Sequence, residues 1–254
     1  MDGAFNRPSP LAALTERDRF WLAFLHRHGP LPSHLLYEAT KATHRCKDTA
    51  LRRLQHLRET GWLCLPQQQF RLPKPDFNPY VYDLTPRALQ LLATQGAPDH
   101  LRPTGHWLHL TGVAATTARI EIATTTRGDA FIPAATILTL KGAPVAIPLA
   151  RSKLIPDAVF AIRRPEGYRA YLLEYDRGTE PLVSPSFRKS LTRNLEAYDE
   201  AFTHDRARQH YGLKAPLRVI WVFGSEARER AFTAMVGETP TRQQRHELLR
   251  NLAV

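Results

Sequence analysis

Lys153-Leu154-Ile155-Pro156-Asp157-Ala158-Val159-Phe160, followed by Tyr171-Leu172-Leu173-Glu174-Tyr175-Asp176-Arg177-Gly178-Thr179-Glu180, is the stretch that decides the fold. Two apolar runs flank the turn Arg164-Pro165-Glu166-Gly167, and each carries a carboxylate at the end far from that turn. Apolar runs bounded by Pro and Gly predict a β-hairpin. A turn centred between Pro165 and Glu166 sets Asp157 opposite Glu174, and directly opposed residues on paired strands sit about 5 Å apart. Asp176, two positions on, shares the face of Glu174. Three acids converging at one end of a hairpin repel one another. A cation bound by carboxylates and water, Mg²⁺ or Mn²⁺, would relieve that repulsion.

The rest of the chain surrounds this hairpin with an α/β (α+β) pattern. A capping-box-like start at Thr15-Glu16-Arg17-Asp18 opens a helix with Phe20, Leu22, Ala23 and Leu25 on its apolar stripe. Gly29-Pro30 ends it, and a short helix follows through about Thr40. A third helix runs from about Lys47 to Thr60, with Ala50, Leu51, Leu54 and Leu57 facing inward. Trp62 to Leu65 and Tyr80 to Leu84 predict two strands joined by a loop with Gln67, Gln68, Gln69, Arg71 and Lys74. Three helices and a two-stranded wing make a winged helix-turn-helix over residues 15–96, behind a loose arm at 1–14. A helix from Leu84 to Ala93 is capped by Thr85 with Pro86 at its first position. The stretch 97–103 is the expected linker.

The second domain, 104–254, opens on a long helix from about Thr104 to Arg127. Glu121 lies on its inward stripe, as a further acid of the cluster or as a salt-bridged group near the helix end. Ala134 to Leu140 predicts a strand and Val145 to Leu149 an edge strand. Pro185 to His204 predicts an amphipathic helix. Leu217 to Phe223 is nearly all apolar and predicts a buried central strand. Helices from Ser225 to Met235 and from Thr241 to Leu252 close the chain, giving a mixed sheet with flanking helices.

The sequence carries a net charge of +11. Strongly basic chains release counterions from phosphate, which points to double-stranded DNA as a partner. Lys41 to Arg58 holds six Lys or Arg against the single acid Asp48 within its first eighteen positions. Arg45, Lys47, Arg52, Arg53 and Gln55 on or beside the third helix, with Lys74 in the wing, are the expected DNA contacts, since Arg and Gln suit base edges and Lys suits phosphate. A basic solvated face used for protein contacts is the alternative.

Other classes are excluded or unsupported. The sequence has no run approaching the roughly 20 apolar residues of a membrane span. Its start lacks a basic segment followed by an apolar one, so a cytoplasmic protein without membrane association is expected. Cys46 and Cys64 are expected as buried thiols in a helix and a strand, unpaired in a reducing compartment. No Walker motif, no G-x-G-x-x-G and no G-x-S-x-G occurs. His106 and His109, three apart on the long helix, suit a metal by spacing, but read better as surface or DNA-contacting side chains.

Pro156-Asp157, a hairpin and then Glu174-x-Asp176 resembles the PD-(D/E)xK nuclease-like superfamily. With the N-terminal winged helix, the string Leu173-Glu174-Tyr175-Asp176-Arg177-Gly178-Thr179-Glu180, and Lys189 and Tyr198 on the next helix, most of the chain is similar to the plasmid replication-relaxation proteins of mobile elements. The resemblance implies Asp157 and Glu174 as metal ligands, with Glu121 as a third. It implies hydrolysis of a phosphodiester, with metal-bound water attacking in line and a Lys assisting. Position 176 is Asp where that Lys is expected. Lys189 or Lys153 could supply the missing charge, with Asp157, Glu174 and Lys189 then catalytic. Otherwise Asp176 turns to Arg177 or a backbone amide as a structural group. The implied function is DNA binding in a mobile element, with Mg²⁺- or Mn²⁺-dependent nicking. The alternatives are a non-cleaving regulator on a degenerate nuclease fold, and an adaptor with relaxosome or defence proteins as partners. A homodimer fits the winged-helix class.

Overall fold

A computed structural model describes residues 14–71, 79–99, 105–184, 190–237 and 240–249. The chain divides into two compact units, Met1–Arg102 and Pro103–Val254. It is a mixed α+β protein.

The first unit runs α1 (Glu16–His28), β1 (Leu31–Pro32), α2 (Ser33–Thr40), α3 (Lys47–Glu59), β2 (Leu63–Cys64), β3 (Val81–Leu84) and α4 (Pro86–Thr94). Its three strands form an antiparallel sheet in the order β1-β3-β2. The capping box at Thr15 is formed: the Asp18 amide donates to Oγ1 of Thr15, and the Thr15 amide donates to Oδ2 of Asp18 at 2.7 Å. The buried stripe of α1 is Trp21, Leu22, Phe24 and Leu25 rather than one that includes Phe20, which stays exposed. The indole of Trp21 fixes α1 on α2 by donating to the Leu36 carbonyl at 2.8 Å. On α3, Ala50, Leu54 and Leu57 are buried. In the connection after β2, Gln69 acts as a strand substitute: its amide group donates to the Val81 carbonyl and accepts from the Val81 amide. Arg87 of α4 lies flat over Trp62, 4.0 Å from the ring centroid, a cation–π contact that ties α4 to the sheet. Cys64 is half-buried in β2. Cys46 differs from expectation, being exposed just ahead of α3.

The second unit runs α5 (Trp107–Thr126), β4 (Ala130–Pro133), α6 (Ala134–Thr139), β5 (Ile147–Pro148), β6 (Lys153–Leu154), β7 (Ala158–Arg164), β8 (Gly167–Asp176), α7 (Leu191–Phe202), α8 (Arg206–Tyr211), β9 (Leu217–Phe223), α9 (Glu226–Val236), α10 (Pro240–Arg245) and β10 (His246–Leu248). Five strands form one sheet in the order β10-β9-β8-β7-β4. The pairs β4/β7 and β7/β8 are antiparallel, and β8/β9 and β9/β10 are parallel. Alternation of side chains gives the sheet two apolar faces. One packs Phe160, Ile162, Tyr171, Leu173 and Ile220 against Val113 and Ile120 of α5. The other packs Val159, Leu172, Val219 and Trp221 against Leu195 and Tyr198 of α7 and Phe232 of α9.

Two predicted elements take a different form, and the sequence pattern does not announce β1, β4 or α8. Ala134 to Thr139 is helix, not strand: two alanines and a preceding proline start a helix readily, and the run is too short for its period to be distinctive. The expected final helix stops at Arg245, because His246 to Leu248 pairs with the edge of β9 and completes the sheet.

Candidate functional site

The β7–β8 register runs from Arg164 opposite Gly167 to Ala158 opposite Leu173, with Asp157 and Glu174 just beyond its last pair. The Asp157 amide donates at 3.0 Å to the carbonyl of Leu173, the residue already opposite Ala158, so the register breaks at Asp157. Trp221 on β9 continues the row beyond Glu174. The two acids stand at the same end of the hairpin but are not paired in its register.

Their side chains engage different helices. Oδ1 of Asp157 accepts from Nε2 of His109, on α5, at 2.9 Å, and Oδ2 accepts from the Tyr175 amide at 2.8 Å. Glu174 is buried and is drawn to α7: the Tyr198 hydroxyl donates to Oε1 at 2.5 Å and the Asn194 amide to Oε2 at 3.3 Å. Burial and the Glu174 carboxylate both hold the Tyr198 phenol well above its usual range, so it remains a proton donor to that carboxylate. Tyr198 is fixed in turn by edge-on packing against Trp221.

Asp176 is a structural group. Arg228 of α9 donates to its Oδ2 through Nε at 3.0 Å and Nη2 at 2.5 Å, and the Gly178 amide donates to Oδ1 at 2.6 Å. The backbone-amide alternative therefore holds, with Arg228 rather than Arg177 as the cation. Gly178 has φ +77°, which suits the tight turn. The end of β9 lies against this turn, with the Gly224 amide donating to the Asp176 carbonyl at 2.9 Å.

Glu121 is buried on α5 twelve positions beyond His109, about 18 Å along the helix at its rise of 1.5 Å per residue. The α5 side chain beside Asp157 is thus His109, not Glu121. Lys153 is exposed on β6, paired with Pro148. Lys189 and Lys74 lie outside the described residues. Among the described residues, no three His, Cys, Asp or Glu side chains gather to hold a metal ion. Both oxygens of Asp157 and both of Glu174 already accept hydrogen bonds from the protein, and the two carboxylates turn to different helices. This donor set does not fit the two-carboxylate divalent-cation centre that the nuclease resemblance implies.

Arg177, directly after Asp176, is half-buried. Its Nη1 lies 3.4 Å from Nδ1 of His106. His106 caps α5, its Nδ1 accepting from the Leu108 amide at 3.3 Å. Gly112 leaves room for the Tyr175 ring against α5, and that ring meets His109 edge-on.

In the first unit, Arg45, Lys47, Arg52 and Gln55 are exposed on and just before α3. Gln55 donates to Glu59 on the same helix at 2.9 Å. Arg53 differs: Nε and Nη2 grip Asp18 at 3.0 and 2.5 Å, fastening α3 to α1. Burial opposes charge on Asp18, but the Arg53 fork and the Thr15 cap outweigh it and hold the carboxyl below its usual range. Arg53 is taken up inside the unit and leaves the expected DNA-facing set.

The architecture is that of a two-unit α+β protein: helices on a small antiparallel sheet, then a three-layer unit with an acidic hairpin in its centre. The chain belongs to the replication-relaxation family, whose model matches residues 22–217. That membership places its role in plasmid or mobile-element replication or relaxation. No curated protein and no solved structure matches the chain. No helix among the described residues is long and apolar enough to cross a membrane.

Proposed function

We propose that the protein binds double-stranded DNA during plasmid or mobile-element replication or relaxation, and that its nuclease-like second unit grips DNA without metal-dependent cleavage. The first unit acts as a winged helix, with α3 entering the major groove. The observation that carries the reading is the polarity of α3. Ala50, Leu54 and Leu57 are buried, while Arg45, Lys47 and Arg52 stand exposed around the start of the helix. A net charge of +11 supplies the long-range attraction to phosphate. Arg52 and Gln55 reach base edges, and Arg45 and Lys47 meet phosphates. In the second unit, Asp157 and Glu174 fix α5 and α7 to the sheet, and Asp176 fixes α9.

Fluorescence anisotropy with a labelled duplex tests the reading. Wild type is expected to bind at low salt. Arg52→Ala should lower affinity while leaving the circular dichroism spectrum and melting temperature unchanged. Absence of duplex binding by the wild-type protein at low salt refutes the proposal.

A further inference from the structure

We infer that Arg177 and His106, at the start of α5 beside His109, form a seat for one backbone phosphate of DNA on the second unit; the inference rests on the DNA-binding reading above. Arg177 is half-buried, and among the described residues it has no carboxylate partner. Its neighbours in the same unit are treated differently. Arg228 is paired with Asp176, Arg242 with Asp199, and Arg206 with Glu200. An arginine with no carboxylate partner keeps its charge for an anion supplied from outside. Guanidinium also matches phosphate geometry with two parallel donors.

His106 adjoins the guanidinium, and His109 stands about one turn further along α5. Nδ1 of His106 accepts from the Leu108 amide and faces the Arg177 guanidinium, so the proton of the neutral ring sits on Nε2. His106 is exposed, which makes that N–H a donor available to a ligand. Asp157 is a positioning residue for His109: it takes Nε2–H at 2.9 Å, while its other oxygen is held by the Tyr175 amide. Both rings stand in the first turn of α5 or just ahead of it, where the positive end of a long helix adds to the side-chain charge.

The seat is also preorganised. The backbone on either side of Arg177 is held by the Asp176–Arg228 fork and the Gly178 amide, and Gly224 packs against Arg177 itself. The acid at position 176 thereby sets the place of the cation at 177. Positive charge returns to the hairpin one residue later than the nuclease resemblance would put it. It comes as a guanidinium suited to holding a phosphate.

The test compares full-length wild type, Arg177→Gln and Arg52→Ala. The salt dependence of duplex binding is measured alongside histidine-ring NMR during titration with inorganic phosphate. Arg177→Gln is expected to weaken duplex binding and to flatten the plot of log K against log salt by roughly 0.9, the share of one phosphate contact. Inorganic phosphate should shift the His106 and His109 ring signals in wild type and not in Arg177→Gln. If Arg52→Ala weakens binding and Arg177→Gln leaves affinity and slope unchanged, the inference is overturned while the DNA-binding reading stands. Ring shifts with inorganic phosphate but an unchanged duplex slope would assign the seat to free phosphate and overturn the backbone contact. If wild type does not bind duplex at all, the underlying reading fails first.

Discussion

Arg228 closes a fork on one oxygen of Asp176, with Nε at 3.0 Å and Nη2 at 2.5 Å, while the other oxygen caps the Gly178 amide. Both side chains are nearly buried, at 13% and 11% exposure. Removing one partner of such a pair leaves the other charge desolvated, so Asp176→Ala should cost about 3 kcal/mol of stability. Asp176→Lys is the sharper variant, because it installs the lysine of the nuclease pattern. It sets two cations together beside Gly178, and is expected to lower the melting temperature further without creating cleavage. Thermal denaturation and a plasmid nicking assay on this variant check both parts.

Two adjacent arginines on α3 should separate by phenotype. Arg53 is bound to the fully buried Asp18, whereas Arg52 is exposed. Arg53→Ala should destabilise the first unit by about 3 kcal/mol. The Asp18 carboxyl is depressed in the folded state, so its stabilising contribution is present above its ordinary pKa of about 3.9 and is lost as pH falls through the folded value. The deficit of Arg53→Ala should therefore be largest near neutral pH and shrink below about pH 4, where Asp18 no longer needs a counter-charge. Urea denaturation of both variants at pH 7 and pH 3.5 measures this.

His246 gives a second pH dependence of defined sign. It sits on β10 with no exposed side-chain surface, and its Nδ1 accepts from the Trp221 indole at 3.0 Å. Burial, aided by Arg242 and Arg245 and opposed by Asp199, pushes the imidazole down to about 4. The unfolded chain takes up the proton near pH 6.5 and the folded chain near 4. Stability should fall as pH drops from 6.5 and level off below 4, by up to about 3 kcal/mol from this group. His246→Gln, which keeps an acceptor for Trp221, should flatten that part of the profile in chemical denaturation.

Gly112 is set by packing, not by backbone conformation. A methyl group there would collide with the far end of the Tyr175 ring. Gly112→Ala gains helix propensity, roughly 1 kcal/mol, yet has to push Tyr175 off α5. Net destabilisation by about 1–2 kcal/mol is expected, with Tyr175→Ala in the same chain removing the clash and recovering part of the loss. Melting temperatures of the single and double variants decide it.

The register from Arg164 opposite Gly167 to Ala158 opposite Leu173 was legible in the sequence, because a Pro-Glu turn between two apolar runs leaves one pairing that buries both faces. The Thr15 cap and the buried positions of α3 were legible for the same reason: short-range chemistry sets them. The directions taken by the Asp157 and Glu174 carboxylates were not, since they depend on His109 and Tyr198, distant in sequence and brought in by helix packing. The roles of Arg53 and Arg177 were equally hidden. One arginine meets an acid 35 positions away and the other meets none among the described residues, and charge counts treat them alike. The strand at His246 was missed because three residues carry no period of their own and are fixed by the open edge of β9.

Incubation of supercoiled plasmid with the wild-type protein and Mg²⁺ or Mn²⁺, under conditions where anisotropy registers DNA binding, tests the central claim most directly. The account predicts that the DNA is bound and stays supercoiled, with Asp157→Asn indistinguishable from wild type in this assay. Metal-dependent conversion to nicked circles by wild type, abolished by Asp157→Asn or Glu174→Gln, would contradict it.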